Sequence, residues 1–108
     1  MDSILQGTTP TLTIELDPED LNVNAIAALK FVMKQRNTVT EHNLSDVTVD
    51  VEENTISYRF TEEETFAFIA DTLLFVQLRF LMADGSICGT NRMTFSIDDF
   101  IGSEVLTP

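Results

Sequence analysis

The chain has 108 residues, of which 44% are hydrophobic, and it contains one cysteine and one histidine. A chain of this length buries enough apolar surface to fold as a single domain, residues 1–108, without a metal or a disulfide. The lone Cys88 and the lone His42 leave no intramolecular disulfide and no His/Cys zinc cluster. The net charge of −12, from 18 acidic and 6 basic residues, argues against binding to nucleic acid or to anionic membranes. No stretch is typical of a signal peptide or a transmembrane segment, and we expect neither.

The N-terminal region predicts a short edge strand that is broken in two. Leu12, Ile14 and Leu16 alternate with polar residues, which is the pattern of a strand with one solvated face. The segment Gln6-Gly7-Thr8-Thr9-Pro10 precedes them, and a Gly/Pro break of this kind splits many edge strands into two pieces. Residues 17–20 follow as a solvated turn, because they lack the ligand spacing and the closing glutamate of an EF-hand calcium loop.

A helix and a strand compete for the segment that begins at Ala25. Apolar and charged residues alternate in its second half, and a helical wheel would place Lys30 and Lys34 among apolar neighbours. We therefore predict a strand over residues 28–36. A short polar strand follows, and His42 at its end is predicted to be a solvated loop residue.

A second hairpin is predicted over residues 46–60. Three valines alternate with polar residues before its turn, and three apolar residues alternate with polar ones after it. A two-residue Glu53-Asn54 turn and a four-residue loop predict the same register. Its pairs are Val51 with Ile56, Val49 with Tyr58, and Val47 with Phe60.

One short helix is predicted near residues 61–69. The sequence Thr61-Glu62-Glu63-Glu64 matches a capping box, in which the threonine and the third glutamate each bond the other's backbone N–H. Acidic residues at the positive end of the helix dipole favour the same element. We interpret the three glutamates as capping residues and not as a metal or catalytic cluster.

A long hairpin is predicted over residues 73–97. Asp84-Gly85 separates two apolar runs, which is the strongest short-range signal for a two-residue turn with positive φ at both positions. This turn pairs Met82 with Ile87, Phe80 with Gly89, Val76 with Met93, and Leu74 with Phe95. The core-facing side chains are then Leu74, Val76, Leu78, Phe80, Met82, Ile87, Met93, Phe95 and Ile97. After Ile97 the chain is predicted to leave the sheet, with a last short pairing at residues 104–106.

These elements predict an all-β fold, an immunoglobulin-like antiparallel β-sandwich of about seven strands with one short helix. The spacing of the strands, about 8 to 12 residues, and their two-faced pattern are typical of such sandwiches. The Cys-Trp-Cys signature of antibody domains is absent from the sequence. A small closed barrel is the alternative architecture.

Six segments carry a resemblance to a known family. They are Ile4-Leu5-Gln6-Gly7-Thr8-Thr9-Pro10-Thr11, Leu29-Lys30-Phe31-Val32-Met33-Lys34-Gln35, Thr61-Glu62-Glu63-Glu64-Thr65-Phe66, Val76-Gln77-Leu78-Arg79-Phe80, Ala83-Asp84-Gly85 and Ser103-Glu104-Val105-Leu106. Together they resemble small proteins encoded in prophages of Gram-positive gut bacteria, which are similar to the immunoglobulin-like N-terminal domain of some phage baseplate proteins. The resemblance covers nearly the whole chain. It implies a building block of a phage virion or tail, and it implies no catalytic or ligand-binding residue.

The outward face of the long hairpin is a candidate interface, because it is not wholly polar. Leu73, Phe75 and Leu81 share it with polar residues, and Val32 on the probable neighbouring strand also points outward. Exposed apolar patches of this kind mark subunit interfaces unless a terminus or a loop covers them. The candidate interface residues are Val32, Phe75, Gln77, Arg79 and Arg92, with the two arginines at the rim.

The sequence contains no nucleophile motif, no glycine-rich phosphate loop and no cluster of metal ligands. We therefore expect no enzymatic activity, no cofactor and no small-molecule substrate. The leading hypothesis is a structural or assembly component of a phage or prophage particle, associated with the tail or baseplate, whose partners are other phage structural proteins or further copies of itself. It would be found in the virion, or in the bacterial host cytoplasm during assembly. The alternatives are a recognition module for a host protein or glycan, and a prophage-encoded host-interaction protein.

Overall fold

A computed structural model describes residues 2–102 of the chain. The β-strands, in chain order, are β1 (Asp2–Leu5), β2 (Thr11–Glu15), β3 (Ile26–Gln35), β4 (Thr38–Asn43), β5 (Thr48–Asp50), β6 (Thr55–Arg59), β7 (Leu73–Met82), β8 (Ile87–Gly89) and β9 (Met93–Asp98). One α-helix, α1 (Glu62–Ala67), follows β6, and two 3-10 turns span Val23–Ala25 and Leu44–Asp46. The pairing predicted at residues 104–106 lies outside the described residues.

The strands form two sheets. The larger sheet has the order β1-β9-β7-β3-β4, and the smaller has the order β2-β6-β5. The short strand β8 pairs with the same edge of β7 as β9 does, but with a different part of it. The run β9-β7-β3-β4 corresponds to strands G-F-C-C′ of an immunoglobulin domain, and β2-β6-β5 corresponds to B-E-D. The prediction of an all-β fold is confirmed, and the closed barrel is wrong because the strands form two separate sheets. The β1–β9 pair is parallel, whereas every other ladder of the described residues is antiparallel.

The core lies between the two sheets. Phe31 of β3 packs against Tyr58 of β6 with their ring centroids 4.9 Å apart, and Tyr58 meets Phe60 edge-on at 5.1 Å. Tyr58 points inward, on the same side as Ile56 and Phe60. The side chains that are almost fully enclosed are Phe31, Phe60, Phe80, Ile56, Leu74, Leu78, Ile97, Val76 and Thr65.

The predicted Gly/Pro break separates β1 from β2, and the two strands join different sheets. Gly7 at the break has φ +78°, and a Cβ there would lie 2.5 Å from Cζ of Phe66. Thr65 of α1 is buried beside it. Its hydroxyl oxygen accepts from the Gly7 N–H at 3.0 Å, and the hydroxyl donates to the Thr8 carbonyl at 2.8 Å. The helix therefore fixes the point where the chain crosses from one sheet to the other.

The predicted strand over residues 28–36 is present as β3, which begins two residues earlier, at Ile26, and ends one residue earlier, at Gln35. Arg36 lies in the following turn with φ +53°. The helical alternative for this segment is wrong. Lys30 and Lys34 point to solvent, whereas the alternating residues Leu29, Phe31 and Met33 point to the core, which only the strand period allows.

The turn of the long hairpin differs from the two-residue turn that the sequence predicts. Gly85 donates its N–H to the Met82 carbonyl at 2.9 Å, and Met82 donates its N–H to the Ser86 carbonyl at 2.9 Å. These bonds define a three-residue loop, residues 83–85, in which Gly85 has φ +90° and Asp84 does not have a positive φ. This is a type I turn followed by a glycine bulge, the next most common hairpin connection.

The longer loop moves β8 by one residue, which inverts its faces. Leu81 lies opposite Ile87 and Phe80 opposite Cys88, so the predicted pairs of Met82 with Ile87 and of Phe80 with Gly89 are wrong. Ile87, predicted in the core, is 68% exposed. Cys88 faces inward instead and packs against the core.

A bulge between β8 and β9 restores the predicted register. Thr90 donates its N–H to the Leu78 carbonyl at 2.9 Å, and its hydroxyl oxygen accepts from the Leu78 N–H at 3.1 Å. Beyond this point Val76 lies opposite Met93 and Leu74 opposite Phe95, as predicted. The rest of the predicted inward set is buried or half-buried.

The second hairpin is shifted by two residues from its predicted register. Val49 lies opposite Ile56, and Asp50 opposite Thr55, around a four-residue loop. A shift of two keeps each side chain on its predicted face. Val51, however, falls in the loop and is exposed.

Asn54 explains this register. It has φ +54° and is 7% exposed. Its side chain accepts from the Val23 N–H at 2.9 Å and donates to the carbonyls of Leu16 at 2.7 Å and Leu21 at 2.9 Å. It thereby fastens the β5–β6 loop to the segment that contains the predicted turn at residues 17–20.

The capping box is confirmed. The Thr61 hydroxyl oxygen accepts from the Glu64 N–H at 3.1 Å, and Glu64 Oε1 accepts from the Thr61 N–H at 2.9 Å. The helix, Glu62–Ala67, is shorter than the predicted range of residues 61–69 because Phe68 already has an extended backbone.

Candidate functional site

The predicted interface residues lie on the solvent-facing side of the larger sheet. We call this surface the outer face and define it by Lys30, Val32 and Lys34 of β3, Phe75, Gln77 and Arg79 of β7, and Arg92. The antiparallel register of β3 and β7 places three of these pairs side by side. Lys30 lies opposite Arg79, Val32 opposite Gln77, and Lys34 opposite Phe75.

Phe75 and Arg92 form the centre of the outer face. The Arg92 guanidinium carbon lies 4.3 Å from the centroid of the Phe75 ring, a cation–π contact that contributes about 0.5–1 kcal/mol at an exposed site. Phe75 is half-buried as a result, whereas Leu73 is 40% and Leu81 is 41% exposed. The face therefore keeps apolar surface in contact with solvent.

Two shallow depressions flank Gln77, whose side-chain amide donates to the Thr90 carbonyl at 2.9 Å. One, of about 280 Å³, is lined by Val32, Lys34, Phe75, Gln77 and Arg92. The other, of about 400 Å³, includes Lys30, Val32, Gln77 and Arg79 in its lining. The structure thus brings all five predicted interface residues together on one continuous surface.

The outer face carries four of the six Lys and Arg residues of the chain: Lys30, Lys34, Arg79 and Arg92. Lys30 Nζ donates to Asn43 Oδ1 at 2.7 Å. Across residues 2–102, both ion pairs within 4.0 Å involve His42, so no carboxylate neutralises these four cations at that range. The two arginines were predicted from the sequence, whereas Lys30 and Lys34 were not. Their signal was the alternation of β3, which places both on the side away from the core.

A second cluster of polar side chains links β4, β6 and α1. The Tyr58 hydroxyl donates to Glu64 Oε1 at 2.6 Å, and His42 Nε2 lies 3.0 Å from that hydroxyl and 3.2 Å from Glu64 Oε2. The His42 and Tyr58 rings stack with their centroids 4.7 Å apart. The prediction of His42 as a solvated loop residue is wrong, because it lies within β4 and is half-buried.

The geometry of this cluster fixes its protons. Tyr58 has a single hydroxyl proton, which it donates to Glu64, so His42 Nε2 faces two acceptors and must itself carry a proton. Burial raises the pKa of the Tyr58 hydroxyl, and its hydrogen bond to Glu64 raises it further.

The pKa of Glu64 is set by opposing influences. Burial raises it, but the hydrogen bonds from the Tyr58 hydroxyl, the Thr61 N–H and His42 together outweigh burial and lower it below its ordinary value. Glu64 is therefore an ionised carboxylate that caps α1 and also accepts from two other elements. The capping interpretation was right for this residue but incomplete.

Comparison of the chain with protein-family models, curated proteins and solved structures found no match. Within residues 2–102, no group of three or more His, Cys, Asp or Glu side chains is placed to hold a metal ion. No helix in the same part of the chain has the length and hydropathy to cross a membrane.

Proposed function

We propose that this protein is a non-enzymatic structural or assembly component of a phage or prophage particle, associated with the tail or baseplate. The observation that carries the proposal is the outer face, where apolar and cationic side chains alternate on a sheet whose other side packs the core. The family resemblance of the sequence supports the same assignment. The protein would then reside in the virion, or in the bacterial host cytoplasm while particles assemble.

The composition of the outer face suits a protein–protein contact. Aromatic residues and arginine are enriched in such interfaces, and here Phe75 and Arg92 are already stacked on each other. Their packing in the free protein reduces the side-chain entropy that a partner would have to remove on binding. Exposed Leu73 and Leu81 extend the apolar area toward both ends of β7.

Particle composition tests the proposal directly. Particles purified after induction of the source strain are digested and quantified by mass spectrometry, with the major capsid protein as internal standard. We expect this chain at a fixed copy number that is a multiple of three or six. Its absence from particles, with abundant protein in the lysate, would refute the structural role.

The variant Phe75→Asp tests whether the outer face makes the contact. A carboxylate at this half-buried position removes the cation–π contact and the apolar centre of the face. Because this side of β7 faces solvent and not the core, the carboxylate stays hydrated and the domain stays folded. We expect a folded monomer that no longer enters particles. Thr48→Asp, which adds the same charge on the exposed side of β5, is the matched control and should incorporate normally.

A further inference from the structure

One end of the smaller sheet is strongly acidic. Glu15 ends β2 and Asp50 ends β5, and both lie opposite Thr55. The loops that continue from these strands are fastened together by Asn54. We define the acidic end by its seven exposed carboxylates, which are Glu15, Asp17, Glu19, Asp20, Asp50, Glu52 and Glu53. No Lys or Arg occurs in residues 12–29 or 37–58, so no basic residue from these segments offsets them.

The outer face has the opposite charge. Its four cations are bordered by Glu41, which lies opposite Val32 on β4. The face belongs to the larger sheet and the acidic end to the smaller one, and no ion pair within 4.0 Å joins them across residues 2–102. A chain with a net charge of −12 thus has most of its basic residues on one surface, where no carboxylate of residues 2–102 lies within 4.0 Å of them.

We propose that the outer face of one copy binds the acidic end of a second copy. This inference rests on the proposed function and names the partner of the same surface. Screening supports it, because at about 0.1 M salt charges farther apart than about 10 Å hardly interact. Charges that touch across the contact therefore outweigh the net repulsion between two acidic molecules.

The charge pattern also selects the symmetry of the contact. A two-fold contact centred on the outer face would place that face against itself, and Lys30, Lys34, Arg79 and Arg92 of each copy would meet the same four cations. Like charges opposed across an interface cost several kcal/mol. A head-to-tail contact avoids this and leaves one free outer face and one free acidic end, so it continues until it closes into a ring or extends as a filament.

Two charge-reversal variants test the contact. The double variant Lys30→Glu/Arg79→Glu reverses two charges of the outer face. The double variant Glu19→Lys/Glu52→Lys reverses two charges of the acidic end. In sedimentation analysis at about 0.1 M salt, we expect the wild-type protein to associate with increasing concentration and each variant alone to remain monomeric. An equimolar mixture should form a 1:1 heterodimer and nothing larger, because each variant retains only one of the two surfaces.

A matched control separates this effect from the change in net charge. Arg36→Glu with Arg59→Glu makes the same change at the two basic residues that lie off the outer face, and it should associate like the wild-type protein. Association of the Glu19→Lys/Glu52→Lys variant on its own would overturn the head-to-tail contact. A wild-type protein that is monomeric at every concentration would overturn self-association, and duplex DNA binding lost in Lys30→Glu/Arg79→Glu would then assign the face to nucleic acid.

The failure of this inference differs from the failure of the proposed function. A monomeric protein that is nevertheless present in purified particles would contradict only the contact between copies. Absence from particles would contradict the structural role, whatever the protein does in solution.

Discussion

Replacement of Asn54 by alanine should be the most damaging single change outside the hydrophobic core. The side chain makes three hydrogen bonds to backbone groups of Leu16, Leu21 and Val23 at 2.7–2.9 Å. It is nearly fully enclosed, so water cannot replace these bonds. Each lost bond costs roughly 1 kcal/mol, and alanine at φ +54° adds about 1 kcal/mol of backbone strain. The free energy of unfolding should therefore fall by about 4 kcal/mol.

Urea denaturation followed by far-UV circular dichroism measures this loss, since the chain has no tryptophan. Asn54→Gly separates the two contributions, because glycine loses the same hydrogen bonds but adopts positive φ without strain. It should be about 1 kcal/mol more stable than Asn54→Ala. The control Asn91→Ala, at an exposed asparagine, should change stability by less than about 0.5 kcal/mol.

A loss below about 1 kcal/mol in Asn54→Ala would refute this reasoning. It would mean that the two loops hold together without the side chain. If Asn54→Ala does not fold at all, the glycine variant still measures the hydrogen bonds separately from the strain.

Three further predictions follow from other elements. Glu64→Gln should lower the free energy of unfolding most at neutral pH, and the difference from the wild-type protein should shrink below about pH 4.5. Because folding lowers the pKa of Glu64, the stabilisation by its carboxylate is complete above the unfolded-state pKa of 4.5 and is lost as pH falls through the folded-state pKa. Urea titrations at several pH values will measure this dependence. Gly85→Ala, at φ +90° with open space around it, should lose about 1 kcal/mol in thermal unfolding, and Gly7→Ala should lose at least twice as much because its Cβ would overlap an aromatic ring. Ile87→Asp should leave the melting temperature nearly unchanged because Ile87 is exposed, whereas Cys88→Asp should lower it by several degrees because Cys88 packs against the core. A larger loss of melting temperature in Ile87→Asp than in Cys88→Asp would support the two-residue turn.

Alternation and capping were sufficient to predict much of the fold. The inward residues of β7 follow strict period two. Of the side chains of the long hairpin that were predicted to face the core, Ile87 of β8 is the one that is exposed. Thr61 and Glu64 lie three residues apart in sequence, so their reciprocal bonds are a local signal. Such features need no knowledge of the rest of the chain.

The features that were missed depend on contacts between distant residues. His42 bonds to side chains 16 and 22 residues away, and the partners of Asn54 lie 31 to 38 residues away. Asp84-Gly85 suits a two-residue or a three-residue loop, because Gly85 takes positive φ in both and only Asp84 distinguishes them. Local sequence therefore predicted a turn at these residues but not its length.

The candidate interface was predicted only in part for a similar reason. Alternation places Phe75, Gln77 and Arg79 on one side of β7 without further information. That Lys30 and Lys34 join them follows from the pairing of β3 with β7 across more than forty residues of sequence. The net charge of the chain hides this basic surface, because a sum over residues does not record where each charge lies.

The bulge after β8 determines where the long hairpin can tolerate insertions and deletions. Met82 and Ser86 close the loop between them, so removing Ala83 would shorten the loop and leave every pair of β7 with β8 in place. The segment between Gly89 and Met93 can also lose one residue. Thr90 bonds to Leu78 and Met93 lies opposite Val76, so two residues, Asn91 and Arg92, lie opposite Gln77 alone. Removing one of these two residues would abolish the bulge but leave Phe95 opposite Leu74, so the core face of β9 and its pairing with β1 would be kept. Homologues of this chain should therefore vary in length at the tip of the hairpin, and those without the bulge should lack one residue at positions 91–92.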